Sequence, residues 1–333
     1  MKAGILSFAH LHAVAYARCI ATMPDVELVA IADDDAARGM NAVAQFGGDF
    51  YADYRDLLAR DDIDAVIICA PNAEHLAMTL AAAAAGKHVL CEKPLATTRA
   101  EALEMIAACA ERGVILQTAF PMRFSAPCIA LRQMVRDGAI GTPLAAMTTN
   151  PGRLPAPAWF TDPKLGGGGA VMDHTVHVAD LLRWTFAQEI TRVYAEIDTR
   201  VHPGLPSDDV GMLMLELESG IFASLDPSWA RPKTWPTWGG LTIDVIGERG
   251  VLSMNAFNQN LQYFDDRGGR YTLIPWSEGG DPGMIRAFFD AVQAGTPPLV
   301  SGEDGLHALE VALCAYESAR RHEFVACPDV LIR

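Results

Sequence analysis

No apolar run in this sequence is long enough to cross a bilayer. The most continuous ones, such as Leu80 to Gly86, are alanine-rich and far short of the roughly 20 residues a membrane helix needs. Met1-Lys-Ala-Gly-Ile-Leu-Ser runs straight into strand-like residues, with neither a long apolar stretch nor a small-residue cleavage site, so no signal peptide is expected. Cysteine is sparse and unpatterned. Its seven copies show no CxxC spacing and several lie in apolar runs, which fits buried, reduced thiols in a cytoplasmic protein better than a disulfide framework. Basic residues are outnumbered, 26 Lys and Arg against 41 Asp and Glu, for a net charge of −15. That balance speaks against a nucleic-acid partner, which calls for a clustered basic surface. Acidity by itself names no substrate.

What is present is a large core and two kinds of grammar. Half the residues are hydrophobic, and 333 residues suit two domains. Over the first 120, short runs rich in Val, Ile and Leu (Ala3 to Phe8, Val26 to Ala32, Ala65 to Cys69, His88 to Cys91, Val114 to Ala119) alternate with helix-length stretches (His12 to Met23, Asp34 to Phe46, Ala73 to Gly86, Thr97 to Arg112). Near-continuous apolarity suits strands buried on both faces, and the alternation predicts an α/β fold with a doubly wound parallel Rossmann sheet. Thr97 and Thr98 followed by Glu101 form a capping-box pattern. After a helix over Ser125 to Asp137, strand-like runs follow one another: Ile190 to Ile197, Val210 to Leu217, Ile221 to Leu225, Leu241 to Ile246, Val251 to Ala256, Leu261 to Phe264 and Tyr271 to Pro275. Turns at Ser219-Gly220, Glu248 to Gly250 and Asp265 to Gly269 connect them, and helices over Pro282 to Ala294 and Gly305 to Arg321 finish the chain. The second half therefore reads as an α+β domain with a large, mostly antiparallel open sheet. The expected division is a nucleotide-binding domain over residues 1–121 and a substrate-binding and oligomerisation domain over 122–333.

Glycine is missing where a dinucleotide-binding turn uses it. The fingerprint would place glycine at Ser7, Ala9 and His12, and none of the three is glycine. Ser and Ala are small enough for a tight turn, whereas His12 departs from the pattern. Asp33 is the stronger sign, ending the second strand 26 residues after Ser7, near the spacing at which a carboxylate holds ribose hydroxyls. Asp34 and Asp35 follow it and would repel a 2′-phosphate, which favours NAD over NADP; three acids at a helix start can also simply cap it. Ligands of open parallel sheets bind outside the carboxyl ends of the strands. On that rule the cofactor-contact candidates are Ser7, Phe8, Ala9, His10, Leu11, Asp33, Cys69, Ala70, Pro71, Asn72, His75, Glu92 and Lys93. Asn72 also reads as a helix cap, and His75 as a structural histidine.

A second constellation lies at Gly166-Gly-Gly-Gly169 and the helix after it. Four glycines let a backbone approach a ligand closely and leave free N–H donors at a helix start. Asp173, His177 and Asp180, spaced i, i+4, i+7, share one helix face, with Val171, Val178 and Leu182 opposite as core. A carboxylate one turn from an imidazole can fix its tautomer, as a general base requires; the alternative is a solvated polar stripe. His174 and His177, with His10 and His12, raise a metal reading, but no Cys or Glu joins them at recognisable ligand spacing, and no metal is expected.

The order of these elements, a small-residue turn after the first strand, Asp33, Glu92-Lys93-Pro94, Arg123-Phe124, then Gly-Gly-x-x-x-Asp173-x-x-x-His177-x-x-Asp180, resembles the Gfo/Idh/MocA oxidoreductases, which include glucose–fructose oxidoreductase and inositol dehydrogenase. The resemblance runs the full chain, through Asp137-Gly-Ala-Ile-Gly141 and Ala315-Tyr-Glu-Ser318. It implies that Lys93 contacts both nicotinamide and a substrate hydroxyl, that Asp173 orients the reacting sugar, and that His177 takes the hydroxyl proton as hydride leaves for the cofactor. Arg123 would lie near the cofactor, and the second domain's open sheet would build a homodimer or homotetramer. The implied activity is an NAD(P)-dependent dehydrogenase acting on a secondary hydroxyl of a sugar, sugar acid or cyclic polyol. Two other activities stay open: a lyase or epimerase-like enzyme that retains NAD and oxidises transiently, and a non-catalytic NAD- or sugar-sensing protein. Arg153, Trp159 and Lys164 in the long Asn150 to Gly169 loop, together with His174, are further substrate-contact candidates. Trp229, Arg231, Trp235 and Trp238 form an aromatic, proline-rich stretch suited either to stacking on sugar rings or to an oligomer interface.

Overall fold

The computed structural model describes residues 1–258, 260–265, 270–275 and 279–328. It divides into two compact units. One contains Met1–Phe120, Ala156–Gly168 and Asp281–Leu309; the other contains Pro121–Pro155, Gly169–Gly280 and Glu310–Arg333. Two continuous halves meeting at residue 121 are what the sequence predicts; by compactness, two later segments group with the first 120 residues instead.

The first unit is the doubly wound sheet that the alternation predicts. Its elements are β1 (Lys2–Leu6), α1 (Ala13–Ala21), β2 (Glu27–Ala32), α2 (Ala36–Phe46), β3 (Asp49–Tyr51), α3 (Tyr54–Leu58), β4 (Ala65–Ile68), α4 (His75–Ala84), β5 (His88–Cys91), α5 (Arg99–Arg112) and β6 (Leu116–Thr118). The strand order is β3-β2-β1-β4-β5-β6, all parallel. Ile5, Ile31, Ile67 and Leu90 are fully buried in the middle of it, each such side chain contributing about 1.5–3 kcal/mol. The capping box on α5 forms as expected: Glu101 N–H donates to Thr98 Oγ1 at 3.3 Å, and Thr98 N–H donates to Glu101 Oε2 at 3.0 Å. Gly113 ends that helix in the left-handed region, at φ 63°. The short β3 and α3 are absent from the sequence expectation, because a three-residue strand carries no readable alternation. Strand order reverses between β1 and β4, which opens a crevice at the carboxyl ends of the strands. Segment 156–168 adds a 3₁₀ turn (Ala158–Thr161) and the one-turn α7 (Pro163–Gly166). Segment 281–309 adds α9 (Asp281–Ala294), packed on α1, and the start of α10 (Gly302–Arg321).

The second unit holds α6 (Ala126–Arg136), β7 (Pro143–Thr149), α8 (Ala170–Phe186), β8 (Ile190–Asp198), β9 (Val210–Leu217), β10 (Phe222–Asp226), β11 (Thr242–Gly247), β12 (Gly250–Asn255), β13 (Asn260–Asp265), β14 (Arg270–Pro275) and β15 (Val325–Ala326). Seven strands make an open sheet in the order β12-β11-β7-β10-β9-β8-β15, antiparallel except for the β7–β10 pair. β13 and β14 pair separately as a two-stranded ribbon, and the turn expected between them lies, beyond Asp265, outside the described residues. The sequence reading omits β7, an interior strand of this sheet. Its consecutive buried Ala145 and Ala146 break the alternation that identifies a half-buried strand. On β9 the alternation is clean: Leu213, Leu215 and Leu217 point inward, while Met212 and Met214 are exposed. No helix among the described residues is long and apolar enough to cross a membrane.

Candidate active site

In the first unit, the turn after β1 gets by without glycine because it is held by hydrogen bonds. Ser7 sits in the left-handed region at φ 69°, and its Oγ accepts the Ala9 N–H at 3.1 Å. Ser7 N–H donates to Ala32 O at 2.7 Å, and His10 N–H to Cys69 O at 2.9 Å, which ties the turn to the ends of β2 and β4. Phe8 N–H donates to Asp33 Oδ2 at 2.7 Å. His12 stands at the N-cap of α1 without a side-chain cap bond of its own, while its N–H donates to His10 Nδ1 and Ala13 N–H donates to His10 O, each at 3.2 Å.

Asp33 is 2% exposed. Besides Phe8, it accepts Asp35 N–H at 2.9 Å and both forks of Arg38, Nε at 2.9 Å and Nη2 at 2.7 Å. Arg38, absent from the sequence reading, also reaches Asp34 at 2.8 Å; its signal is its place one turn into the helix that follows the acids. The three acids divide their roles: Asp33 is buried, Asp34 exposed, and Asp35 caps α2 by accepting Ala37 N–H and Arg38 N–H at 3.0 and 3.1 Å. A cavity of about 260 Å³ opens beside Asp33, lined in part by Ser7, Asp34, Asp53, Arg55 and Glu74.

At the end of β4, Asn72 is buried and caps no helix with its side chain, contrary to one expectation. Its Nδ2 donates to Gly166 O at 2.8 Å, fastening segment 156–168 to the sheet, while its Oδ1 is buried without a hydrogen-bond partner among the described residues. His75 is fully buried, with Nδ1 3.1 Å from Pro94 O and Nε2 3.1 Å from Ala70 O. Burial pushes its pKa down, outweighing those carbonyls. Burial also pushes the Cys69 and Cys91 thiols well up, so neither is a ready nucleophile.

Glu92 and Lys93 follow β5, both buried, and the Lys93–Pro94 peptide is cis. Glu92 Oε2 accepts Lys93 N–H at 3.0 Å. Its Oε1 faces two imidazoles, 2.9 Å from His12 Nδ1 and 3.6 Å from His10 Nδ1. Burial alone would raise the Glu92 carboxyl; His10, His12 and Lys93 together hold it well below the usual range. The reverse balance acts on His12: burial lowers its pKa, and Glu92 more than offsets that and raises it. Trp159 also belongs to this unit, its Nε1 donating to Ala9 O at 3.1 Å and its ring stacked on Phe160.

In the second unit, α8 is buried almost all round, which removes the solvated-stripe alternative. Asp173 is 4% and Asp180 1% exposed. Trp229 Nε1 donates to Asp173 Oδ2 at 3.1 Å, and His174 Nε2 stands 3.2 Å from the same oxygen. His174 Nδ1 lies 2.9 Å from Pro227 O, which fixes the ring. His177, one turn after Asp173, is half-buried. Asp180 accepts both forks of the buried Arg123, Nε at 2.8 Å. The helix start lacks the free donors expected from the glycine run: Asp208 accepts Gly169 and Val171 N–H at 2.9 and 2.8 Å, and Tyr316 Oη accepts Met172 N–H at 3.1 Å. Gly169 is needed for packing, since a Cβ there would stand 2.0 Å from Asp208 O. The aromatic stretch divides: Trp229 is core, Trp235 lies under Arg231, and Trp238 meets the edge of His174. Arg153 N–H donates to Trp238 O at 3.0 Å.

Comparison with known proteins matches residues 4–120 to the oxidoreductase family with an NAD-binding Rossmann fold, and residues 128–253 to the GFO/IDH/MocA C-terminal domain. The 1,5-anhydro-D-fructose reductase of Ensifer adhaerens is 30% identical over 88% of this chain and 89% of its own length. The chain belongs to the GFO/IDH/MocA family. The myo-inositol 2-dehydrogenase of Thermotoga maritima is 29% identical over 99% of this chain and 100% of its own. The crystal structure of a probable dehydrogenase from Thermotoga maritima covers 99% of this chain and 100% of its own at 26% identity, with a TM-score of 0.86. As a GFO/IDH/MocA member the protein is an oxidoreductase whose Rossmann unit serves NAD(H).

Proposed function

We propose that this oxidoreductase is a dehydrogenase that takes hydride from a secondary hydroxyl of a sugar, sugar acid or cyclic polyol, and that it uses NAD in preference to NADP. The observation that carries the cofactor choice is Asp33, buried at the end of β2 beside a cavity whose lining also includes Asp34, Asp53 and Glu74. Such a wall suits ribose hydroxyls and repels a 2′-phosphate. The unit's residues fit NAD in two further ways: the His12 side chain makes no cap bond at the start of α1, the kind of place where anions bind, and Asn72 Oδ1 is a buried acceptor open to a ligand donor.

When bound, NAD supplies the hydride acceptor. Lys93, buried after β5, stabilises the alkoxide that develops on the substrate oxygen, and His177 accepts the hydroxyl proton. Asp173, held by Trp229, orients the sugar. A carbohydrate or cyclic polyol substrate is supported by relatives named for inositol, 1,5-anhydro-D-fructose and D-apiose. The open face of the seven-stranded sheet exposes Met147, Met212, Met214 and Phe222 on neighbouring strands β7, β9 and β10, an apolar patch that favours pairing with a second copy. Seven free cysteines agree with a reducing, cytoplasmic setting.

The test is steady reduction of added NAD across a panel of sugars and polyols, followed at the nicotinamide absorbance. Turnover abolished by Lys93→Ala and by His177→Ala in folded protein is the expected result. Intact rates in Lys93→Ala would sink the proposal. Turnover without net nicotinamide change would replace it with the lyase or epimerase activity, and cofactor binding without turnover on any substrate with a sensor.

A further inference from the structure

His10, His12 and Glu92 occupy adjacent corners of the first unit, and their chemistry differs from that of their neighbours. His10 and His12 lie on the turn after β1, and Glu92 follows β5. One ligand-type atom from each lies within 4.8 Å of the others. We propose that these three side chains bind one divalent transition-metal ion of the zinc class.

Four observations support the site. The first is spacing. Zinc bonds of about 2.0–2.2 Å put neighbouring ligand atoms of a tetrahedron about 3.4 Å apart, and the distances of 2.9 and 3.6 Å from Glu92 Oε1 to His12 and His10 bracket that value. Second, the carboxylate is already aimed: Oε2 accepts Lys93 N–H at 3.0 Å, which leaves Oε1 toward the imidazoles, the supporting contact that metal carboxylates generally have. Third, His10 Nδ1 accepts His12 N–H at 3.2 Å, so that nitrogen carries no proton, and the ion would take its one lone pair in place of this backbone bond. The His10 ring is also held in place, its centroid 5.3 Å from Phe160 and 5.8 Å from Trp159. Fourth, access is one-sided: Glu92 is fully buried and His10 3% exposed, while His12 is 32% exposed and supplies the entry path. The nearby Asp281 carboxyl adds negative potential at His12, and Lys93 adds positive potential at Glu92.

Two imidazole nitrogens and one carboxylate select against magnesium and calcium, which take oxygen ligands. Three protein ligands leave a fourth position open to water or an anion. The ion would cross-link the β1 turn to the end of β5. The proposal needs only three side chains of one unit and stands whether or not the dehydrogenase assignment holds.

The experiment uses full-length, tag-free protein stripped of metal by a chelator that is then dialysed away. Co²⁺ is titrated in and followed by visible d–d absorption, with Zn²⁺ added as competitor. One ion per chain is expected, with a low-symmetry four-coordinate spectrum displaced by Zn²⁺. His10→Ala and Glu92→Gln should each weaken binding by more than about tenfold, the cost of losing even an outer contact to a metal site. His10→Cys, which restores a ligating atom, should recover binding, and circular dichroism of each variant guards against a folding defect. No saturable Co²⁺ binding by the wild type, or equal binding by wild type and His10→Ala, would overturn the site.

Discussion

Replacing Asp33 with serine should turn the cofactor preference around, and the size of the effect can be worked from its contacts. The carboxylate is almost fully buried and accepts four hydrogen bonds, from Phe8 N–H, Asp35 N–H and two nitrogens of Arg38, at 2.7 to 2.9 Å. A phosphate carries close to two negative charges near neutrality. Two like unit charges 4 Å apart near a protein surface repel by about 4 kcal/mol at an effective dielectric of about 20. In the wild type Arg38 offsets part of that repulsion from beside the carboxylate. Asp33→Ser removes the repulsion, leaves the guanidinium, and takes from NAD the charge-assisted bonds to its ribose, worth about 1.5–3 kcal/mol each.

After discounting for relaxation, a net change of about 3–4 kcal/mol is expected, or roughly a hundred- to a thousandfold shift toward NADP. Calorimetric titration of NADH and NADPH against wild type and Asp33→Ser measures it without knowledge of the substrate. Adding Arg38→Ala should erase most of the gain, because the two changes act through one contact. A ratio of affinities unchanged in folded Asp33→Ser, or a gain that survives Arg38→Ala, would refute the electrostatic account.

Three further outcomes are expected. Asp180→Ala leaves the buried Arg123 guanidinium without the carboxylate it grips and should cost about 3–5 kcal/mol in urea unfolding, with much of the loss recovered in Asp180→Leu/Arg123→Met; a loss of cofactor affinity at unchanged stability would contradict that role. Gly169→Ala should destabilise by at least about 1–3 kcal/mol, because its Cβ meets Asp208 O at 2.0 Å, whereas Gly250→Ala, where the nearest atom is Ile140 Cγ2 at 3.6 Å, should be far milder. Burial depresses the pKa of His75 in the fold, so below its ordinary value the unfolded chain binds more protons and stability must rise with pH. The neutral ring's contribution is complete above about pH 6.5 and is lost as pH falls below it, so His75→Gln should flatten the melting-temperature profile relative to wild type below about pH 6.5.

The legible parts of the sequence were those where local pattern and tertiary role coincide. β1, β2, β4 and β5 are continuous apolar runs because both faces are buried, and Asp33 and Glu92-Lys93 stand out by following directly on such runs. Strand β7 was not legible: paired alanines break its alternation, although it lies inside the second sheet, between β11 and β10. Gly166 to Gly169 suggested a ligand, yet the constraint at Gly169 is Asp208, 39 residues away in sequence. Tyr316, which helps Asp208 close the start of α8, lies 144 residues beyond Met172. Contacts of that separation leave no local pattern. Arg38 was within reach, since a basic residue in the first turn of a helix that follows three acids has obvious partners.

The glycine-free turn raises a last question, which Ser7 can answer. At φ 69° a residue with a Cβ carries about 1–2 kcal/mol of backbone cost. Against that, Ser7 Oγ accepts Ala9 N–H, a hydrogen bond worth about 0.5–1.5 kcal/mol net. Ser7→Gly removes both and should leave stability within about 1 kcal/mol of wild type. Ser7→Ala keeps the strain and discards the bond, leaving the buried Ala9 N–H short of an acceptor, and should cost about 1–3 kcal/mol. If denaturant unfolding finds Ser7→Ala as stable as wild type, the serine is not what replaces glycine in this turn. The other bonds, Phe8 N–H to Asp33 and His10 N–H to Cys69 O, would then have to hold the left-handed residue by themselves.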